Sequence, residues 1–89
     1  MVWQIKLTAT AAKQLGKLDP TTAKRIISFL KLRLAEQEDP RITGKALTGK
    51  SLGMYWRYRV GDYRIICDIQ DGEICILVIE IGHRKDIYQ

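Results

Sequence analysis

Histidine occurs once in this chain, cysteine and proline twice each, and phenylalanine once. One histidine and two separated cysteines do not make the ligand spacing of a metal centre, so neither metal nor cofactor is expected. No apolar run approaches the roughly 20 residues that a membrane-spanning helix needs. The N-terminus also lacks a signal-peptide pattern, so no membrane contact and a cytoplasmic location are expected. Gly49-Lys50-Ser51 lacks the glycine, lysine and hydroxyl spacing of a phosphate-binding P-loop. Acids are in deficit, with Asp plus Glu at 10 against Lys plus Arg at 15, for a net charge of +5 and a pI near 9.4. That balance favours nucleic acid or an acidic protein as partner.

What is present suits one small domain spanning residues 1–89. Val2 to Leu7 alternates, with Trp3, Ile5 and Leu7 on one face, and reads as a first strand. Thr8 is placed to cap a helix from about Ala9 to Leu18, burying Ala11, Ala12, Leu15 and Leu18. Asp19-Pro20 restarts the chain as N-cap and first helical position of a second helix reaching about Gln37. Ala23, Ile26, Ile27, Leu30 and Leu34 form its apolar stripe, with Phe29 and Leu32 off it. Asp39-Pro40 ends the helix, and the glycine-bearing run to Gly53 reads as a loop. Three strands follow at about Met54–Val60, Tyr63–Gln70 and Glu73–Ile81. The expected class is α+β, ordered β-α-α-β-β-β.

Gly61-Asp62 and Asp71-Gly72 carry the chemistry of two-residue hairpin turns. With both turns of that length, Arg59 lies opposite Arg64, Trp56 opposite Cys67, and Arg57 joins the two arginines on one face. Trp56, Tyr58, Val60, Ile65, Cys67, Ile69, Ile74, Ile76 and Val78 share the other face, beneath the helices. Ile66, Cys75, Leu77 and Ile79 fall on the arginine side. Cys67 faces Ile76 and Cys75 faces Asp68 in this register, so the thiols point to opposite faces and form no disulfide. Three guanidiniums on one short patch repel one another and gain little as structure. An anion is their natural partner, and the planar arginine fork suits phosphate. Three solvated surface arginines would look the same, but here the face is short, aromatic-flanked and followed by His83 and Arg84. Residues 1–38 are basic too, with seven Lys or Arg against three acids.

The segments Trp56-Arg57-Tyr58-Arg59-Val60-Gly61-Asp62-Tyr63-Arg64-Ile65-Ile66 and Ile81-Gly82-His83-Arg84-Lys85-Asp86-Ile87-Tyr88 resemble the RelE/ParE superfamily of toxins. Leu18-Asp19-Pro20, Asp39-Pro40 and Lys45-Ala46-Leu47-Thr48-Gly49 fit the same pattern, so the likeness covers nearly the whole chain. The resemblance implies an antiparallel sheet with a helical hairpin on one face, and the toxin half of a type II toxin–antitoxin pair, neutralised by a cognate antitoxin protein that wraps it. In the RelE branch it implies a metal-independent endoribonuclease that cuts mRNA in the ribosomal A site. In the ParE branch it implies a DNA gyrase inhibitor without nuclease activity.

Metal-free RNA cleavage needs a base for the 2′-OH, cations for the developing phosphorane charge and an acid for the leaving 5′-oxygen. On the RelE-like pattern, the catalytic candidates are Arg64, Arg84, His83 and Tyr88, and the RNA phosphate-binding candidates are Arg57, Arg59 and Lys85. The best-known RelE pattern has lysines where this chain has Arg57 and Arg59. Arginine does not give up its proton, which leaves His83 and Tyr88 as the proton handlers. Tyr88 is equally suited to stacking on a base. Ribosome, mRNA and antitoxin are the implied partners.

Overall fold

The structure is a computed structural model and describes residues 2–47 and 55–83. Among these, strand β1 spans Gln4–Leu7, helix α1 Ala9–Gly16 and helix α2 Pro20–Ser28. A π-helical turn, Phe29–Leu34, prolongs α2, and a short 3-10 turn, Pro40–Thr43, leads to strand β2, Lys45–Ala46. Strands β3, Trp56–Val60, β4, Tyr63–Gln70, and β5, Cys75–His83, complete the sheet. Its order is β1-β5-β4-β3-β2. The expected antiparallel pairing holds from β2 to β5, while β1 lies parallel to β5, so the sheet is mixed.

Both helices start where cap chemistry dictates. The Thr8 hydroxyl accepts from the Ala11 N–H at 3.1 Å, and the Asp19 carboxylate accepts from the Thr22 N–H at 3.1 Å. α1 ends at Gly16, short of Leu18, and Ala12 is exposed while Ala11 is fully buried. Past Ser28 the helix widens, and the Ala35 N–H donates to the Leu30 carbonyl at 2.9 Å. One extra residue in that turn shifts the helix phase, so Leu30, Leu34 and Ala35 are all buried. Ile27, on the stripe by its spacing, is 39% exposed.

The core packs Ala11, Ile26, Leu30 and Leu34 from the helices against Tyr58, Ile65, Cys67, Ile69, Ile76, Val78 and Ile81 from one face of the sheet. Tyr58 is buried and its hydroxyl donates to the Pro40 carbonyl at 2.7 Å; burial pushes its phenol up. Gly44 passes so close that a Cβ there would meet the Tyr58 ring at 2.8 Å. Arg41 donates to Asp71 at 3.1 Å, tying the Pro40 turn to the β4–β5 connection and holding that carboxyl below its ordinary range.

The first hairpin turn is as short as its sequence indicates. Val60 pairs with Tyr63, and Gly61 takes φ +60. The second is longer than two residues. Gln70 pairs with Cys75, so Asp71 to Ile74 form the connection and the register differs by two residues from the expected one. Cys67 faces Val78 and Cys75 faces Gln70. Ile74, expected in the core, is 38% exposed in the left-handed region at φ 48. The two thiols still lie on opposite faces, both buried.

β5 carries a bulge. Ile66 pairs with Glu80 and Cys67 with Val78, leaving Ile79 as the extra residue. The β1 ladder stops at Leu7↔Val78, and the side chains of Thr8 and Gln14 take over. Thr8 Oγ1 donates to the Ile79 carbonyl at 2.8 Å, and Gln14 Oε1 accepts from the Ile81 N–H at 2.6 Å. The bulge reverses the alternation, sending Ile81 into the core.

Thr8→Ala removes both a helix cap and a bond to the bulge. A loss of about 1–2 kcal/mol is expected, read as a lower urea midpoint with unchanged m-value; Thr8→Ser restores most of it. Ile74→Asn relieves a β-branched residue of a left-handed conformation costing roughly 1–2 kcal/mol, so its urea midpoint should rise above that of the unaltered chain.

Candidate functional site

Residues directly opposite in a ladder share a face, so the observed register assembles two rows across the sheet. One row is Lys45–Arg57–Ile66–Glu80. The other is Arg59–Arg64–Gly82. Strands lie ~4.8 Å apart and alternate residues ~6.7 Å apart along a strand, so the five charged residues occupy one compact patch. The patch lies on the face away from the helices. Arg57 is half-buried, Arg59 exposed and Arg64 9% exposed. A guanidinium so withdrawn from water keeps its charge and gains electrostatic reach in the lower local dielectric.

The expected trio of Arg57, Arg59 and Arg64 is therefore together. His83 is not with it. His83 pairs with Tyr63, whose other neighbour is Val60, and this places it on the helix-side face. Its ring meets Tyr63 edge-on, with centroids 5.5 Å apart and planes at 81°. Tyr63, Val60, Gly61 and Asp62 join Thr22 and Arg25 in a small pocket of about 220 Å³. Arg84, Lys85 and Tyr88 lie outside the described residues.

Two members of the patch are not evident in the sequence. Lys45 falls in the glycine-bearing run that reads as a loop, but strand β2 aligns it with Arg57. Glu80 is half-buried, and uninterrupted alternation from Val78 would send it to the core side; the bulge turns it onto the arginine face. A glutamate inside an otherwise apolar strand is the only sequence signal that marks it. Among the described residues no group of His, Cys, Asp and Glu is arranged to hold a metal ion.

Chemically, the patch offers four cations to bind and stabilise a phosphate and one carboxylate able to accept a proton. It does not depend on the thiols, which burial pushes up out of the reactive range.

The family described as ParE toxin of type II toxin-antitoxin system, parDE, matches residues 5–88. Toxin RelG of Mycobacterium tuberculosis is 29% identical over 89 residues, covering 100% of this chain and 99% of that protein. Toxin RelE of the same organism is 31% identical over 87 residues, covering 98% and 87% respectively. Among solved structures, the toxin–antitoxin complex RelBE2 of M. tuberculosis superposes with a TM-score of 0.84 at 27% identity, covering 97% of this chain and 95% of that one. The archaeal RelE–RelB complex of Pyrococcus horikoshii shares the fold, with a TM-score of 0.75 at 24% identity, covering 97% and 99%.

If the patch is an anion site, millimolar inorganic phosphate should raise the melting temperature by selective binding to the native state. Arg57→Gln/Arg59→Gln should abolish that increment; an unchanged increment would place phosphate elsewhere.

Proposed function

The chain belongs to the ParE toxin family of type II toxin–antitoxin systems, and from that premise we propose that it is a metal-independent mRNA endoribonuclease that cuts in the ribosomal A site and so inhibits translation. It acts in the cytoplasm and is held inactive by a cognate antitoxin; relatives of this fold are known as complexes with RelB. The observation that carries the proposal is the register, which gathers Lys45, Arg57, Arg59, Arg64 and Glu80 on one face. A gyrase inhibitor has no need of a phosphate-sized cationic patch with a carboxylate in it.

In the proposed reaction the 2′-oxygen attacks the adjacent phosphorus, and its proton passes to a base. The P–O5′ bond breaks, and the 5′-oxygen takes a proton from an acid. Arg57 and Arg59 bind the phosphate. Arg64, on the central antiparallel strand β4, stabilises the charge that builds on the non-bridging oxygens. Arginine cannot act as the base. Glu80 supplies that function from the arginine face, one strand and one diagonal step from Arg64, a separation of roughly 7–8 Å between backbones. Arg84 and Tyr88 remain the further cation and the proton donor or stacking ring that the family likeness implies, with Lys85 beside them. His83, against Tyr63 on the other face, is better suited to positioning the chain end than to contacting the scissile phosphate.

Primer extension on mRNA after induced expression is the test. New cuts at codon positions are expected, whereas double-strand DNA breaks with intact mRNA would indicate gyrase as the target. Arg64→Met keeps the buried volume while removing the charge, and should lower cleavage by about two to three orders of magnitude. Glu80→Gln should lower it as well. Full cleavage by folded Arg64→Met would rule out this site.

A further inference from the structure

A second cationic feature lies on the helix side of the sheet. A groove of about 780 Å³ runs between α2, with its π-helical extension, and the β3–β4 turn. Its walls carry Lys24, Arg25, Arg33 and Arg59, and its floor carries Phe29 and Leu32, with no acidic residue among those lining it. None of the four cations belongs to an ion pair among the described residues. Arg25, Phe29 and Arg33 follow one another at four-residue spacing, a helical step on the order of 6 Å. Leu32 is 72% exposed.

Arg59 joins this groove to the arginine face. Among the described residues β2 pairs with β3 only at Trp56 and Arg57, short of Arg59. Arg59 pairs with Arg64 in the ladder and also lines the groove. The Arg25 guanidinium closes the far side against the turn: a Cβ on Gly61 would come within 3.6 Å of it.

We infer that this groove binds the sugar–phosphate backbone of the single-stranded RNA that flanks the cleaved linkage, with Phe29 and Leu32 as an apolar platform for a base. The inference rests on the proposed RNA cleavage. Four like charges along one groove repel one another unless a polyanion neutralises them, and single-stranded RNA is bound by a cationic groove combined with apolar or aromatic surface. A protein-docking groove is built differently, with charges depleted from its centre. Exposed Leu32 beside half-buried Phe29, between charged walls and continuous with the phosphate site, fits a strand leaving that site.

The test measures fluorescence anisotropy of a labelled 2′-O-methyl RNA of roughly 12 nucleotides, which cannot undergo 2′-OH attack, against the whole chain across a salt series. Lys24→Gln/Arg33→Gln changes two exposed residues. Each single-strand phosphate that is no longer neutralised lowers the slope of log K against log salt by about 0.7, so the slope of the double variant should fall by about 1.4. An unchanged slope and affinity would overturn the inference. So would a variant that binds RNA normally but loses affinity for the cognate antitoxin, which would make the groove a protein site. Primer extension with the unaltered chain separates the two proposals. If mRNA is intact while the slope falls as expected, the cleavage proposal fails and the groove remains an RNA site with no cleaved linkage to flank. If mRNA is cut while the slope is unchanged, the groove fails alone.

Discussion

Two side-chain hydrogen bonds fix which way this sheet faces. Thr8 donates to the Ile79 carbonyl, and Gln14 accepts from the Ile81 N–H. Where the parallel ladder to β1 runs out, an extra residue in β5 would leave backbone polar groups without ladder partners, at a cost of about 1–3 kcal/mol for each one buried. The cap of α1, Thr8, and Gln14 near its C-terminal end supply those partners. Thr8 does so while also capping the helix, so one hydroxyl couples the start of α1 to the bulge.

The bulge has opposite consequences for the two sides of β5. On the core side it delivers Ile81 next to Val78, completing the apolar layer under Ile26, Leu30 and Leu34. On the other side it delivers Glu80 and Gly82. Gly82 then stands opposite Arg64, and Glu80 stands in the row of Arg57. A single inserted residue thus turns a cationic surface into one with a proton acceptor. It also carries His83 to the helix side, against Tyr63. A site of arginines alone would bind phosphate and stall, since none of them releases a proton at working pH.

The parts of this fold that are legible in the sequence are those set by local chemistry. Thr8 and Asp19 mark their helix starts because cap geometry needs a side-chain acceptor there, and Gly61 marks a tight turn because it must take a positive φ. Arg59 opposite Arg64 follows directly from that turn length. What stays hidden depends on distant contacts. The β4–β5 register is offset by two residues because the connection closes at Ile74, a β-branched residue in the left-handed region that gives no turn signal. The bulge needs Thr8 and Gln14, which lie at the other end of the chain. β2 is only two residues long, too short for a period to register, and this hides Lys45. Glu80 and Lys45 escape a sequence reading for these structural reasons, while the arginines do not, because their side of the sheet is decided upstream of the bulge.

The chemistry of the cut ends tests the central claim most directly. RNA cleaved by the purified toxin on programmed ribosomes should carry a 5′-hydroxyl on the downstream fragment and a 2′,3′-cyclic phosphate, or the 3′-phosphate it hydrolyses to, on the upstream one. Ends of that kind follow from attack by the neighbouring 2′-oxygen with arginines in place of a metal ion. Downstream fragments bearing a 5′-phosphate would contradict it.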